Sequence, residues 1–544
     1  MKLRKLILLL ALLVLSTAPL YAAKNTITGV VTCNGKGVAG VVVSDGLNVV
    51  KTNAKGAYAL PTDLTKPQSQ FVHISIPSGY EVEREGNRPL FYGVINREAK
   101  GVQTFNFKLT KVDQSSYTLL AIADSHVCGG VNSAGRVDDR EQYCDVVVPA
   151  LNKQIAAHNN PVYICALGDM SQPKPRRLVR EGKQGYSLNN YMEDTKVDRP
   201  IFNVIGNHDH NHAPKGTYFN DETVYQSRRD FNNDLGPAYY SFNIGREHYV
   251  VIDNTFVLTK DSGPTNDPNA TKGYMYRLCN YQHEWLAADM AAVDAKSIDR
   301  VVVLAHCGLF GYGAKKQQYD LERLLDNFKG FEVVALIGHH HADHSIKKMW
   351  NDKPLYQFMH PSAAGTTWHS LLNSEGTPAA IVKYDFKDNN LTRTYIPYGE
   401  FETLNYRVYD NRNHKYNHKI TVRTGLKNSH AAELNEASHK DKGAILVNIW
   451  NAYTCTFTES TGGTGIVTQR LFDPAFRDWY WDTLNKSFNE ELPVGYRLKR
   501  SDWQRPKRNH HLWQYVPADQ NATVHVVAKD AFGNIVAEFD AHSK

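Results

Sequence analysis

The 544-residue sequence contains few cysteines and only one long apolar run. Seven cysteines, scattered and odd in number, do not form a disulfide framework, although one incidental bridge stays open. After the N-terminal segment, no stretch is apolar enough to predict a membrane span. The formal net charge is only +6, which gives no support to nucleic acid binding.

The N-terminal segment has the composition of a secretory signal peptide, predicted to cover residues 1–23. Three basic residues precede an apolar core over residues 6–15, and Tyr21-Ala22-Ala23 follows. Removal of the segment lowers the formal net charge from +6 to about +3. The sequence therefore predicts an exported protein, periplasmic or extracellular, without a transmembrane anchor. It does not determine the oligomeric state.

Five apolar runs in the middle of the chain each end in residues that can ligate metal ions. Short Val/Ile/Leu-rich runs followed at once by glycine or polar residues predict buried strands that open into loops. We therefore expect one rim of one sheet to collect all of these side chains. The runs end at Asp124-Ser125-His126, Gly168-Asp169, Gly206-Asn207-His208-Asp209, His306 and Gly338-His339-His340-His341.

The residue types at these strand ends indicate which metals they suit. Aspartate oxygens, an asparagine amide oxygen and imidazoles, without a cysteine pair, favour borderline divalent ions over a thiolate zinc site. Such ligands accept Zn, Mn, Fe or Ni, so the sequence does not give the metal identity. A dinuclear site is the natural interpretation.

Taken in order, Asp-x-His, Gly-Asp, Gly-Asn-His-Asp, a single His and Gly-His-x-His strongly resemble the calcineurin-like metallophosphoesterases. The match covers roughly residues 115–400. The resemblance implies hydrolysis of phosphate mono- or diesters by attack of a metal-bridging hydroxide. It implies one ion held by Asp124, His126, Asp169 and His341, and a second held by Asp169, Asn207, His306 and His339.

The resemblance also implies roles for the two residues after Asn207. His208 would be a positively charged donor or general acid at the phosphoryl or leaving-group oxygen. Asp209 is expected to orient the His208 imidazole. Two divalent ions less two aspartates and one hydroxide leave roughly one positive charge, which suits a phosphate ester.

Two departures from related families narrow the subclass. Gln172 stands where purple acid phosphatases have a tyrosine, so a coloured ferric site is not expected. Met170-Ser171-Gln172 replaces the Asp-Arg-Gly run of phosphoprotein phosphatases, so a phosphoprotein substrate is not expected either.

Other polar residues near the motifs give weaker signals. The basic stretch Lys174–Arg177 with Arg180 could hold a second phosphate oxygen, although basic loops are more often merely solvated. Cys307 is not expected to be a catalytic thiol. Solvated loop imidazoles are expected at His210, His212, His340 and His344, and aromatic pocket walls or core rings at Tyr312, Trp368 and His369.

Composition changes along the chain predict three domains after the signal peptide. Residues 24–112 alternate Val and Ala with glycine turns, which predicts an antiparallel β-sandwich resembling transthyretin-like or carboxypeptidase-regulatory-like modules. Such modules usually carry no chemistry. Residues 401–544 contain alternating runs that predict a second, C-terminal β-sandwich.

The middle segment, residues 113–400, contains helical spacing over residues 138–159 and 281–295 and a hairpin over residues 238–253. The predicted fold class is an α/β (α+β) catalytic domain, an αββα sandwich of two mixed sheets, between two all-β domains. This domain order resembles multidomain metallophosphoesterases of Bacteroides-type bacteria.

Two functions from different classes remain open. The first is an exported hydrolase of small-molecule, glycan or lipid phosphoesters, with no nucleic acid partner. The alternative is a surface or periplasmic glycan-binding protein whose β domains bind and whose metal centre is vestigial.

Overall fold

The structure is a computed structural model that describes residues 26–130, 139–211, 219–257, 273–311, 318–365, 367–368, 371–410, 412, 417–424, 428–435, 443–470 and 508–541. The predicted signal peptide lies outside these residues, as do His212, Tyr312 and His369. Within the described part, no helix has the length and apolarity needed to cross a membrane. No disulfide joins any of the seven cysteines, all of which are described.

The N-terminal domain is a two-sheet β structure. Its strands are β1 Thr26–Cys33, β2 Lys36–Gly37, β3 Val42–Ser44, β4 Val49–Lys51, β5 Ala57–Pro61, β6 Phe71–Ser75, β7 Tyr80–Val82, β8 Arg84–Glu85, β9 Arg88–Pro89, β10 Tyr92–Val94, β11 Gln103–Thr104 and β12 Phe107–Lys111. One sheet has the order β11-β1-β12-β7, with β2 and β5 also paired to β1, and the other has the order β10-β6-β3-β4. The strand pairs of this domain are antiparallel, as predicted, except that β1 runs parallel to both β11 and β12.

The catalytic segment contains two mixed sheets. Its strands are β13 Ser116–Ile122, β14 Val162–Ala166, β15 Ile201–Asn203, β16 Tyr240–Ile244, β17 Glu247–Val251, β18 Thr255–Val257, β19 Tyr274–Tyr276, β20 Arg300–Ala305, β21 Glu332–Ile337, β22 His344–Trp350, β23 Lys353–Met359, β24 Ala380–Lys387 and β25 Asn390–Pro397. The first sheet has the order β15-β14-β13-β24-β25 and the second has the order β16-β17-β20-β21-β23-β22. β18 and β19 form a separate pair.

The helices of the catalytic segment are α1 Asp139–Gln142, α2 Val148–Ala156, α3 Pro173–Arg180, α4 Leu188–Asp194, α5 Arg229–Leu235, α6 Asn280–Ala292 and α7 Leu321–Asp326. A π turn over Tyr143–Val147 joins α1 to α2, just before Pro149, which cannot donate a main-chain N–H. Short 3₁₀ turns cover Val224–Arg228 and Gly399–Phe401.

Three hydrophobic layers hold the catalytic segment together. Leu119 and Leu304 belong to the layer shared by the two sheets. The opposite face of the first sheet packs on α2 and α4, and the opposite face of the second sheet packs on α6 and α7. The predicted αββα sandwich with flanking all-β sheets is therefore confirmed.

The N-terminal domain packs tightly against this sandwich. Its core residues Val43 and Ile74 belong to the same hydrophobic cluster as Phe242 of the second sheet. The main-chain N–H of Asn243 also donates to the carbonyl of Ile76 at 2.8 Å. The two parts are thus one continuous packed body at this interface.

The C-terminal domain is also all-β in the described residues. Its strands are β26 Tyr406–Asp410, β27 Asn417–Thr424, β28 Asn428–Asn435, β29 Ile445–Ile449, β30 Thr454–Glu459, β31 Ile466–Arg470, β32 Leu512–Val516, β33 Val524–Lys529 and β34 Ile535–Ala541. The sheets β26-β29-β32-β31 and β30-β33-β34 share one core. A buried network joins this domain to the catalytic segment, because Arg393 contacts both Asp343 and Asn451.

Candidate metal centre

The five predicted strands are present, but they belong to two sheets. β13, β14 and β15 run parallel in the first sheet, and β20 and β21 run parallel in the second. The expectation that one rim of one sheet carries all the side chains was therefore wrong. Apolar runs alone do not tell which sheet a strand joins, and the predicted residues meet where the strand ends of the two sheets come together.

One group of side chains comes from the first and last motifs. The Nε2 atoms of His126 and His341 are 3.0 Å apart. Oδ1 of Asp124 lies 3.2 Å from Nε2 of His341 and 3.8 Å from Nε2 of His126. Their ligand atoms form a set with mutual distances within 4.8 Å, which is compact enough for one cation.

A second group comes from the middle motifs. Oδ2 of Asp169 lies 3.1 Å from Nε2 of His306, and Oδ1 of Asn207 lies 3.1 Å from the same nitrogen. Asp169, His306 and His339 form another set with ligand atoms within 4.8 Å of one another. Nε2 of His126 is 3.9 Å from Oδ2 of Asp169, so this one oxygen borders both groups.

The tautomer of His306 gives a test of whether a cation fits. Its Nδ1 lies 2.7 Å from the carbonyl of Leu167, which can only accept, so Nδ1 carries a proton. In the neutral ring, Nε2 then points a lone pair at the oxygens of Asp169 and Asn207. Burial alone lowers the pKa of His306, but the Asp169 carboxylate more than offsets it and raises the pKa to about 10. The site therefore stabilises a positive charge, which a metal ion would supply.

Two further atoms support the same fit. Oδ1 of Asp124 is buried and has no hydrogen-bond partner among the described residues. Nδ1 of His339 is also buried without a hydrogen-bond partner in the described part of the chain, whereas its Nε2 lies 3.2 Å from the Tyr274 hydroxyl. Buried polar atoms without partners are costly, and metal ligation would satisfy both.

The backbone at this centre is unusual. The residues with left-handed φ angles include Asp124 at 54°, His126 at 46°, Asp169 at 53°, His339 at 71° and His341 at 52°. Non-glycine residues adopt this conformation rarely, although Asp and His tolerate it better than most. Each motif therefore turns sharply after its strand, and the strain coincides with the predicted ligands.

The glycines of the motifs allow the loops to approach closely. A Cβ on Gly206 would lie 2.3 Å from Oδ1 of Asp169, and a Cβ on Gly168 would lie 2.5 Å from Nδ1 of His306. Any side chain at these positions would displace a predicted ligand. Gly168 also has a φ of 90°.

His208 lies half-buried at the edge of the centre. Its ring stands edge-on to that of His126, with centroids 5.0 Å apart, and one of its ring nitrogens lies within 4.8 Å of ligand atoms of His126 and Asp169. Its main-chain N–H donates to Oδ1 of Asp169 at 2.7 Å. The ring can therefore reach a group bound beside the two ligand sets.

Asp209 makes contacts other than the predicted one. Its fully buried carboxylate accepts main-chain N–H bonds from Gly206 at 2.9 Å, Met170 at 3.1 Å and Ser171 at 3.2 Å. The predicted pairing with the His208 ring is not among the hydrogen bonds described for this carboxylate. Burial, followed by the Asp169 charge, raises the pKa of Asp209 to about 6. Asp209 thus ties the loop after β14 to the loop after β15.

Arg176 completes this junction from inside the basic stretch. It is 3% exposed and donates to the carbonyls of Ser171 at 2.9 Å, His208 and His210. Burial lowers the pKa of this guanidinium. Its place beneath the loops does not leave it available to hold a phosphate oxygen, whereas Lys174, Arg177 and Arg180 are exposed.

The remaining predicted residues are mostly structural. His210 is not a solvated imidazole, since it is fully buried between the carbonyl of Gly206 and the carboxylate of Asp253. Trp368 is buried and donates to the carbonyl of Ser125, so it supports the first motif.

Burial raises the pKa of Cys307, which suits an inert thiol. His340 is buried, and the His344 ring stacks on that of His510.

Sequence reasoning missed two residues that contact predicted ligands. The side-chain amide of Gln172 lies 2.8 Å from Nδ1 of His126, and Tyr274 reaches His339 from the β18-β19 pair. In the sequence, Gln172 stands out only because it occupies the position of a tyrosine in purple acid phosphatases. No motif surrounds Tyr274, so only the fold could bring it to the centre.

Comparisons with known proteins support one family over nearly the whole chain. A family model described as calcineurin-like phosphoesterase matches residues 117–343. Models described as the N terminal and the C terminal of calcineurin-like phosphoesterase match residues 25–112 and 358–535. A comparison with curated proteins gives no match.

Similar solved structures are only distantly related to this chain. A dimetal phosphatase from Danio rerio has a TM-score of 0.36 and 14% identity, covering 52% of this chain and 98% of its own. A purple acid phosphatase from yellow lupin seeds has a TM-score of 0.33 and 13% identity, covering 66% of this chain and 67% of its own. A 5'-nucleotidase precursor from Thermus thermophilus has a TM-score of 0.28 and 13% identity, covering 52% of this chain and 54% of its own.

Proposed function

Because this chain belongs to the calcineurin-like phosphoesterase family and is a metal-dependent phosphoester hydrolase, we propose that it hydrolyses phosphate mono- or diesters at a dinuclear centre. The proposed ligands of one ion are Asp124, His126, Asp169 and His341. Those of the other are Asp169, Asn207, His306 and His339. The observation that carries this proposal is the position of Asp169 Oδ2 at the border of both ligand groups.

The chemistry that the ions supply when bound is Lewis acidity, which polarises a phosphoryl oxygen and lowers the pKa of water from about 16 toward about 7. The donors suit this task, since His306 presents a lone pair held in place by the Leu167 carbonyl. Asp169 supplies an anionic oxygen. Burial raises the pKa of its carboxyl, but without an ion the positive charges of protonated His306 and then His208 outweigh burial and hold that pKa well below the usual range.

His208 is proposed as the proton donor to the leaving group. Its half-buried ring lies beside His126, and its backbone is fixed on both sides by Asp169 and Arg176. A ring held in this way can deliver a proton to a leaving-group oxygen without reorganising the loop. This arrangement favours hydrolysis over the glycan-binding alternative, which would require no proton donor here.

The experiment that tests the function starts from protein freed of metal with a chelator. It is reloaded separately with Zn, Mn, Fe(II) or Ni and assayed on an aryl phosphate monoester and an aryl phosphate diester. We expect activity to return with at least one metal and elemental analysis to give two ions per chain. No turnover of either ester by protein that holds two ions would overturn the proposal.

We also propose that residues 1–23 direct export and are removed. The composition of that segment supports this, since three basic residues precede an apolar core. Expression of the full-length chain in a Gram-negative host, followed by mass measurement of the purified protein, tests the proposal. A protein that keeps residues 1–23 and stays in the cytosolic fraction would contradict it.

A further inference from the structure

We propose that the substrate is an extended phosphoester that carries a second anionic group, bound in a groove between the metal centre and the N-terminal domain. The inference rests on the proposed function, because it concerns the substrate of that same centre. Two adjoining clefts form the groove, and they differ in charge.

The first cleft, named here the basic cleft, has a volume of about 590 Å³, which is within the range of ordinary ligand sites. Its cationic lining consists of Lys174, Arg176, Arg177, Arg180 and Arg229. Four of these side chains are exposed, and only Arg176 is buried.

Nearby carboxylates neutralise only part of this charge. Glu181 lies 3.4 Å from Arg177, and Asp230 lies 3.2 Å from both Arg180 and Arg229. Lys174 adds a cation, and no salt bridge of the described residues includes it. The cleft therefore keeps an excess of positive charge, and exposed guanidinium groups recognise phosphate or carboxylate well.

The basic cleft borders a loop of the metal centre, because its lining residue Arg176 donates to the carbonyls of His208 and His210. Its lining residue Pro173 directly follows Gln172, whose amide lies 2.8 Å from the predicted ligand His126. His210, another lining residue, is two residues after His208, so their Cα atoms can be no more than about 7 Å apart. In the proposed binding mode, a substrate whose phosphoryl group is at the centre extends past His208 toward this neighbouring cleft.

The second cleft continues the groove onto the N-terminal domain. It has a volume of about 950 Å³ and shares Gln226 and Arg229 with the basic cleft. Its other side is formed by Gln70, Phe71 and the segment Val94–Glu98, which begins at the last residue of β10. The amide side chains of Gln70 and Asn96 belong to the N-terminal domain and suit a polar ligand, so in this proposal that domain takes part in binding.

The groove is rigid because the two domains are bonded along it. The side-chain amide of Asn232 donates to Oε1 of Gln70 at 2.8 Å, and Arg88 donates to the carbonyl of Asp234 at 2.6 Å. A preformed groove costs little ordering entropy when a long ligand binds, so extra length on the substrate can raise kcat/KM.

The test uses metal-loaded full-length protein and pairs of alkyl phosphates that differ by one terminal phosphate. Hexyl phosphate is compared with 1,6-hexanediol bisphosphate, and longer diol bisphosphates extend the series. We expect kcat/KM for the bisphosphate to be about tenfold higher than kcat/KM for hexyl phosphate at 0.15 M ionic strength. This ratio exceeds the factor of about two that two equivalent ends give on statistical grounds. The double variant Lys174→Glu/Arg177→Glu should reduce this ratio to about two.

A matched control separates local binding from overall charge. Lys51→Glu/Lys55→Glu changes the net charge equally on exposed residues of the N-terminal domain and should leave the ratio unchanged. Arg97→Glu, in the second cleft, should lower the ratio only for the longer bisphosphates. Melting curves establish that each variant is folded.

The outcomes separate this inference from the proposed function. If wild-type protein with two bound ions hydrolyses neither the aryl phosphate monoester nor the aryl phosphate diester, the proposed function fails. If it hydrolyses an aryl ester but shows no preference for bisphosphates, or keeps that preference in the Lys174→Glu/Arg177→Glu variant, only the inference about the groove is overturned.

Discussion

Asp169 and His208 are joined by a 2.7 Å hydrogen bond from the main-chain N–H of His208 to Oδ1 of the carboxylate. The bond occupies one oxygen and leaves Oδ2 at the border of the two ligand groups, 3.1 Å from Nε2 of His306. The same side chain therefore faces both proposed metal positions and holds the loop of the proposed acid. In the proposed function, one carboxylate therefore couples metal binding to the placement of the acid.

Replacing Asp169 by alanine should remove both metal ions. No other proposed ligand serves both ions, and the variant also leaves His306 without its nearest negative charge. Elemental analysis of protein purified in excess metal measures the loss, with His208→Ala as the variant expected to keep two ions per chain. Two ions retained in Asp169→Ala would refute the bridge.

Replacing His208 by alanine should reduce kcat about 10²- to 10⁴-fold while leaving the metal content unchanged. The loss should be greatest for esters with poor leaving groups, since those depend most on protonation of the departing oxygen. A series of aryl phosphates with different phenol pKa values measures this dependence. An equal loss across the whole series would contradict the role of proton donor.

The meeting of the proposed ligand residues could be predicted because each motif follows a strong apolar run, and Asp124 and His341 do lie together although 217 positions separate them. The distribution of these residues over two sheets could not be predicted, since strand pairing depends on residues that are far apart in the sequence. The charge of Arg176 suggested a surface residue, and only the fold shows three main-chain carbonyls around it. His210 likewise pairs with Asp253, which no local pattern connects to it.

Replacing Asp209 by alanine should mainly lower the stability of the protein. Its effect on kcat of the folded enzyme should be smaller. Without the carboxylate, the buried N–H groups of Gly206 and Ser171 lose their acceptor, at about 1–3 kcal/mol for each unsatisfied group. Thermal unfolding of metal-loaded protein should show a lower midpoint, and Asp209→Asn should be milder because it keeps one acceptor oxygen. An unchanged midpoint with a large loss of kcat would instead favour the predicted orientation of His208.

Tyr274→Phe should weaken binding of one ion about 10- to 100-fold, since the hydroxyl at 3.2 Å from Nε2 fixes the ring of His339 and leaves its buried Nδ1 as the nitrogen for a metal ion. Titration of metal-free protein with a chelator-buffered metal measures the affinity of each site. Tyr276→Phe is the matched control. The ring of Tyr276 stands edge-on to that of His339, and among the described residues no hydrogen bond joins the two side chains. Equal effects of the two substitutions would contradict a positioning role for Tyr274.

His73 is a buried imidazole where the N-terminal domain meets α6. It is 3% exposed, its ring lies 6.4 Å from that of Trp285, and neither ring nitrogen has a hydrogen-bond partner among the described residues. Burial lowers the pKa of His73 to about 4, despite an opposing effect of Asp289. The folded protein therefore holds this ring neutral at pH values where the unfolded chain protonates it.

Stability should consequently fall as the pH decreases from about 6.5, the usual histidine pKa, to about 4. In that window the unfolded state binds a proton that the folded state does not, which costs about 1.4 kcal/mol per pH unit. His73→Phe removes the titrating group while filling similar space, so its melting midpoint should fall less steeply over this range. Because acid also releases metal from both proteins, the difference between wild type and variant at each pH isolates His73. Parallel curves from pH 7.5 to 4.5 would show that this histidine does not limit acid stability.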